Sequence, residues 1–128
     1  SIISERGMFM RTYGKKEWLI ADCFYDSKWN GQVSHEAVCV LNTSEKEAHI
    51  AFTLFFEDSE PITGFSATCG SMRTHHIRMD KILNDKGEHI PVDTPYALLV
   101  ESDVEVVCQY SRLDTAQSEM ALMTTIAY

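Results

Sequence analysis

The sequence has little positive charge, no long apolar run and no signal-peptide-like start. Only 11 lysine and arginine residues stand against 19 acidic ones, which gives the 128-residue chain a formal net charge of −8. Such a field repels phosphate groups and so disfavours nonspecific binding to nucleic acids or anionic membranes. No apolar stretch approaches the ~20 residues of a membrane helix, and residues 1–7 lack a signal-peptide core. We therefore expect a cytoplasmic protein that does not insert into membranes.

Closely spaced cysteines are also missing. Cys23, Cys39, Cys69 and Cys108 are far apart in sequence, so no Cys-x-x-Cys zinc or redox motif exists. Three of the four lie in apolar, strand-like runs, a setting typical of free thiols buried in a reducing compartment. Disulfide bonds in a secreted protein are the alternative.

Familiar catalytic motifs do not occur. The phosphate-binding loop, the dinucleotide-binding glycine pattern and the Gly-x-Ser-x-Gly nucleophile motif are all absent. His35 and Glu36 do not begin a zinc-protease motif, because Cys39 stands where a second histidine is required. His75 and His76 point to opposite faces of a predicted strand, so a shared metal requires His35 and His76 to converge from paired strands. We therefore expect a protein that is not an enzyme and that binds neither a metal nor another cofactor.

The sequence does contain many short strand-like runs. Hydrophobic residues make up 45% of the chain, enough for the core of one domain. Apolar residues recur with a period of two, so that Ile50, Phe52, Leu54 and Phe56 share one face of the run 49–57. The other runs cover residues 17–24, 35–42, 64–69, 73–79, 96–101, 105–112 and 121–128. This pattern predicts an all-β sandwich or barrel.

Turn-forming residues separate the runs. Gly70 and Ser71 predict one hairpin between their flanking strands, and Ser102 with Asp103 predicts a second one. A short helical turn is expected at residues 80–83, where the alternation stops.

Polar residues interrupt several of the apolar runs. They are Glu36, Asn42, Arg73, His76, Arg78, Gln109 and Arg112. Because buried polar groups need partners, such residues lie either on a solvated sheet face or together in a polar ligand pocket.

Several segments match one known family in order and spacing. They are residues 18–22, 34–42, 48–50, 56–61, 73–78, 90–96, 109–114 and 121–128, with Gln109-Tyr-Ser-Arg-Leu-Asp as the strongest. Through them the chain resembles the sensory rhodopsin transducer family, small soluble bacterial proteins related to the cyanobacterial transducer that docks on a microbial rhodopsin.

The resemblance implies a jelly-roll-like antiparallel β-sandwich at residues 16–128, after an N-terminal extension at residues 1–15. It also implies a homotetramer and a small-molecule ligand, with sugars favoured. The chain departs from the transducer in its extension and at residues 25–32, and both departures argue against a rhodopsin partner.

Sugar hydroxyls need polar partners and an aromatic face to stack on, and the matched segments supply both. The candidate ligand-binding residues are Trp18, His35, Glu36, Asn42, Arg73, His76, Gln109, Arg112 and Asp114. For Arg112 the alternative is a structural ion pair with Asp114, which projects from the same side of the strand.

Two functions therefore compete. The first is a small-molecule-binding module for a sugar or related metabolite, and the second is a protein-interaction module that docks a photoreceptor or another partner. An enzyme using Glu36 and His76 for acid–base chemistry is a weaker third alternative.

Overall fold

The computed structural model describes residues 13–26, 35–114 and 121–127, which form strands and loops and contain no helix. The strands are β1 (Lys15–Cys23), β2 (His35–Asn42), β3 (Ala48–Phe56), β4 (Ile62–Cys69), β5 (Arg73–Arg78), β6 (Tyr96–Asp114) and β7 (Ala121–Ile126). The prediction of an all-β protein is confirmed. Residues 1–12 of the expected extension and most of the segment 25–32 lie outside the described residues.

Every strand pair in the described chain is antiparallel, and β6 is the centre of the sheet. The order is β4-β3-β6-β2-β5, and β1 and β7 also pair with β6. The first part of β6 lies between β1 and β3, and its second part lies between β2 and β7. The result is a curled, half-barrel sheet. The jelly-roll sandwich implied by the resemblance stays a prediction.

The prediction of a hairpin at Ser102 and Asp103 is wrong, because β6 runs through both residues without reversing. Here the strand changes neighbours: Ser102 is the last residue paired with β3, and Val107 is the first paired with β2. Asp103 accepts hydrogen bonds from the backbone N–H and the ring of His49 on β3. Ser102 and Asp103 thus lie where β6 stops pairing with β3, a few residues before it begins to pair with β2.

The hairpin expected around Gly70 and Ser71 is a tight connection, but β4 and β5 form no ladder. β4 pairs with β3, and β5 pairs with β2, so the connection joins the two ends of the strand order. Three residues, 70–72, span little more than ~10 Å when extended. The sheet must therefore curl until its two edges meet at this turn, where Met72 adopts a positive φ of 55°.

Alternating side chains fill the inside of the curl. In β3 the predicted face is confirmed: Ile50, Phe52 and Leu54 are buried, and Phe56 is half-buried. Val38 and Val40 of β2 lie in the same core. Burial of such apolar side chains is the main stabilising contribution to the fold.

The start of β1 is fixed against β6 by close backbone contact. Gly14 has a φ of +92°, and a Cβ atom there would lie 1.9 Å from the carbonyl oxygen of Val106. The Trp18 indole N–H donates to that same oxygen at 2.8 Å. Only glycine permits this approach.

The sequence predicts a short helical turn at residues 80–83. The chain does turn here, at residues 79–81, but the turn does not continue into a helix. The Arg78 carbonyl accepts hydrogen bonds from Lys81 N–H and Ile82 N–H, and the chain then continues as loop. All four cysteines are free; Cys39 is half-buried and the other three are buried.

Candidate functional site

The most unusual polar side chain in the described chain is Glu36. Alternation in β2 directs Glu36, Val38, Val40 and Asn42 to the inner face, so a carboxylate enters the core with no exposed surface. Its Oε1 accepts hydrogen bonds from the Tyr96 hydroxyl at 2.9 Å and from the Tyr110 hydroxyl. Its Oε2 is buried and has no hydrogen-bond partner.

Burial raises the pKa of Glu36 from 4.5 to about 7. The hydrogen bonds from Tyr110 and Tyr96 and the charge of Arg112 lower this pKa, whereas the charge of Asp80 raises it. Burial and the nearby Glu36 also raise the pKa of both tyrosines. Glu36 therefore changes charge near neutral pH, while the tyrosines remain hydrogen-bond donors.

Arg112 is the cation opposite the Glu36 carboxylate. The β2–β6 register sets Arg112 directly opposite Glu36, so both side chains lie on the inner face. Arg112 is half-buried and provides the positive charge that the carboxylate needs. The side chain of Asp114 lies outside the described part, so the expected Arg112–Asp114 ion pair stays a prediction.

An ion pair lies at the end of β5. The Arg78 guanidinium donates to both carboxylate oxygens of Asp80, at 2.7 and 2.6 Å. Burial acts to raise the pKa of Asp80, but these hydrogen bonds and the charge of Arg78 lower it overall. Two carboxylates and two guanidinium groups therefore lie near one another, and Asp80 is already paired.

The site forms where strand ends converge, and we call it the Glu36 cluster: Cys23, Glu36, Arg78, Asp80, Tyr96, Tyr110 and Arg112. Met79 N–H donates to the Glu36 carbonyl at 2.9 Å, which holds the end of β5 against β2. Phe24 N–H, just beyond β1, donates to the Tyr110 hydroxyl at 3.3 Å. The polar groups of the cluster are thus held by backbone contacts from four strands.

The chemistry of the Glu36 cluster suits a hydrogen-bonding ligand better than a metal. Oε2 has free acceptor capacity, and Arg112, which carries only hydrogen-bond donors, projects from the same face of the strand pair as Glu36. The described residues contain no group of three histidine, cysteine, aspartate or glutamate side chains that could hold a metal ion.

Asn42 lies in the core at the other end of β2, where its side chain forms hydrogen bonds with backbone groups. Its Nδ2 lies 2.8, 3.0 and 3.2 Å from the carbonyl oxygens of Lys46, Cys69 and Gly70. Its Oδ1 accepts hydrogen bonds from the N–H and the hydroxyl of Ser44. Arg73 is paired opposite Asn42, is exposed, and donates to the Met72 carbonyl.

His76 and Gln109 lie on the outer face of the sheet. Both are paired with Cys39, one from each side, and both are exposed. Glu36 faces inward, so the acid–base pair of Glu36 and His76 does not form. His35 is four residues from Cys39 along β2, about 14 Å from the position of His76, so the two histidines do not converge.

Trp18 is held by β1 and β6 and is not part of the Glu36 cluster. Its indole N–H donates to the carbonyl oxygens of Val106 and Lys15, and the Lys15 ammonium lies 4.6 Å from the ring centre. Among the candidate residues with described side chains, the strand pairing sets Glu36 opposite Arg112 and Asn42 opposite Arg73, and only the first pair belongs to the Glu36 cluster. His35 lies next to Glu36 in sequence and is exposed on the outer face.

Sequence reasoning missed five members of this site: Cys23, Arg78, Asp80, Tyr96 and Tyr110. Tyr110 lies two positions before Arg112, which is the strand spacing for side chains on one face. This spacing could have identified Tyr110. Nothing in the sequence indicates that Tyr96 and Cys23 approach the same carboxylate, because both contacts depend on how the strands pair.

Comparisons with known proteins agree with this fold. The family profile described as Anabaena sensory rhodopsin transducer matches residues 13–128. A solved structure of Thermotoga maritima 1070 is 38% identical and has a TM-score of 0.77, over 90% of this chain and 94% of that one. The Anabaena sensory rhodopsin transducer is 33% identical with a TM-score of 0.72, over 82% of this chain and 93% of that one. No curated protein matches, and no helix in the described ranges is long and apolar enough to cross a membrane.

Proposed function

Because the chain belongs to the Anabaena sensory rhodopsin transducer family, we propose that it is a non-catalytic binding module whose Glu36 cluster takes a small, neutral, polyhydroxylated molecule such as a sugar. One observation carries the proposal: Glu36 Oε2 is buried, unpartnered and opposite Arg112. A buried carboxylate without full hydrogen bonding destabilises a fold. A buried polar group that destabilises the fold is retained mainly where it takes part in function.

A neutral ligand fits the charges of the cluster. The carboxylate accepts from a hydroxyl group, and the guanidinium of Arg112 donates to a neighbouring hydroxyl or ring oxygen. Asp80 and Glu36 add negative charge near the site, and the whole chain carries −8. This field disfavours sugar acids and phosphorylated sugars relative to neutral sugars.

A thermal-shift screen tests the proposal, because a ligand that binds only the folded state raises the melting temperature. Neutral monosaccharides and disaccharides are compared with sugar acids at pH 8. We expect at least one neutral sugar to stabilise the wild type, and Glu36→Gln and Arg112→Ala to lose that stabilisation. Gln109→Ala, on the outer face, is the matched control and should keep it. A shift that survives Glu36→Gln would contradict this site.

We also propose a homotetramer, as the resemblance implies. Light scattering at micromolar concentration tests it: a mass four times that of the 14.6 kDa chain supports the proposal. A monomer contradicts it.

A second candidate function is a protein-interaction module in signal transduction. One solved relative is described as a sensory rhodopsin transducer, and large apolar side chains of this chain are exposed on the outer face of the sheet. The two functions differ in where substitutions act, because ligand binding depends on the inner Glu36 cluster and partner binding depends on the outer surface.

A further inference from the structure

Three strands present an apolar surface on the outside of the sheet. Leu19 of β1 pairs with Leu99 of β6, and Phe55 of β3 pairs with Ala97 of β6. Leu19 is 55% exposed and Phe55 is 39% exposed, whereas Leu99 and Ala97 are half-buried. We call this surface the Leu19 face. Exposed side chains of this size that adjoin one another mark interaction sites more often than isolated ones do.

A groove lies at one end of the Leu19 face. Its volume is about 280 Å³, and Phe55, Ala97 and Pro95 contribute apolar walls. Asp22 and Glu57 line the same groove. It is large enough to receive one apolar side chain, with carboxylates beside the opening.

Carboxylates also lie at the other end of the face. Glu17 of β1 is directly opposite Glu101 of β6, and both side chains are exposed. Like charges in this position destabilise a strand pair. Neither glutamate has an ion pair in the described chain, and the neighbouring Lys15 lies over the Trp18 ring. The Leu19 face is therefore apolar at its centre and negative at both ends.

The size of the face argues for a short occupant. Three strands ~4.8 Å apart and about five residues long cover roughly 14 Å by 14 Å, or about 200 Å². A stable protein–protein interface buries about 800 Å² on each partner. The face alone is too small for a second copy of the chain, but it suits a few residues of an extended segment.

We propose that the Leu19 face docks a short cationic segment of a partner protein, with one apolar side chain seated in the groove and lysine or arginine residues on either side. This inference rests on the interaction role given above as the second function. It names the surface and the chemistry of the partner, and it is independent of the Glu36 cluster.

Fluorescence anisotropy with a labelled probe peptide, Arg-Arg-Leu-Phe-Arg-Arg, tests the proposal on the full chain. We expect saturable binding that weakens as salt increases, because exposed charges are screened. Phe55→Glu should weaken binding at least tenfold, and Leu19→Ser, a milder change, should weaken it several-fold. Leu41→Glu is the matched control: Leu41 is 43% exposed on the outer face of β2, and binding should change less than twofold.

Charge is tested separately. The double variant Glu17→Gln with Glu101→Gln should weaken peptide binding several-fold and flatten its salt dependence. A peptide in which glutamate replaces every arginine should not bind. Binding of that acidic peptide would overturn the proposed chemistry.

Three results would overturn the proposed surface. The first is peptide binding that Phe55→Glu and Leu19→Ser both leave intact, because it places the site elsewhere. The second is a lower mass of both variants in light scattering, because the face is then an interface between copies. The third is the absence of any peptide binding. None of these results affects the sugar thermal-shift assay, so failure here is distinguishable from failure of the ligand-binding function.

Discussion

Glu36 and Asn42 lie six residues apart on the same face of β2, and neither has exposed surface. Their surroundings differ. Asn42 uses both ends of its amide, with three carbonyl oxygens near Nδ2 and two donors to Oδ1. Glu36 has two donors on Oε1 and none on Oε2. Burial of a polar residue alone therefore does not identify a binding site; an unused hydrogen-bonding atom is more informative.

The difference comes from where the partners originate. Asn42 ends its strand and finds most of its partners in the backbone of the two neighbouring turns, near residues 44–46 and 69–70. Glu36 depends on side chains of the distant strand β6, and only two hydroxyl groups reach it. Turn backbone can satisfy a buried amide completely, whereas side chains from another strand leave this carboxylate half satisfied.

Asn42→Ala should have the largest effect. It leaves buried carbonyl groups and Ser44 without partners, so we expect a loss of about 3–4 kcal/mol in the free energy of unfolding, measured with urea. Asn42→Asp should also destabilise, because a carboxylate cannot donate to the carbonyl groups. A loss below about 1 kcal/mol for both variants would mean that Asn42 is not the structural residue described here.

Glu36→Gln should act in the opposite direction. The pKa of Glu36 is raised, so its protonated form is favoured by folding, and the wild type loses stability as pH rises from about 4.5 to about 7. Above pH 7 the loss is on the order of 3 kcal/mol. Glutamine is never charged, so the variant should be more stable than the wild type at pH 8 and nearly equal at pH 4. An equal difference at both pH values would contradict the raised pKa.

Tyr110→Phe should have an intermediate effect. It removes the hydrogen bonds to Glu36 Oε1 and from Phe24 N–H, at a cost of about 1–2 kcal/mol. The lost hydrogen bond lowered the pKa of Glu36 in the folded state, so its removal should raise this pKa and extend the fall in stability to higher pH. Urea unfolding between pH 5 and pH 9 measures this shift. A downward shift would show that Tyr110 does not donate to Glu36.

Cys39, on the opposite face of the same strand, should give the smallest effect on stability. It is half-buried, and its Sγ lies 3.9 Å from Ser111 Oγ, so Cys39→Ser should change stability by less than about 0.5 kcal/mol. Burial raises the pKa of Cys108 to about 12 and also raises that of Cys23 and Cys69. In native protein, alkylation followed by mass spectrometry should modify Cys39 first. Faster modification of a buried cysteine would contradict the structure.

Much of the fold could be predicted from alternation in the sequence. The bounds of β2 are those expected, and the buried face of β3 is correct. The failures concern pairing: Ser102 and Asp103 resemble a turn locally, but β3 and β2 supply hydrogen-bond partners on either side of them and keep β6 continuous. Local composition cannot show that a strand changes neighbours.

The candidate site was harder to predict for the same reason. Polar residues in apolar runs drew attention to Glu36 and Arg112, which the strand register sets opposite each other. The same rule selected His76 and Gln109, which alternate onto the outer face. Sequence spacing shows which residues share a side of a strand, but only strand pairing decides which side is the interior.

The position of β6 along the chain has a consequence for biosynthesis. Without β6, the described strands can form only the β2–β5 and β3–β4 ladders, because β1 and β7 pair with β6 alone. β6 begins at Tyr96, after all four strands of these ladders, so a ribosome must synthesise those strands before β6 can join the two ladders. Until then the apolar faces of the two ladders are exposed to aggregation, which chaperones limit. The single sheet can therefore form only after β6 has been synthesised.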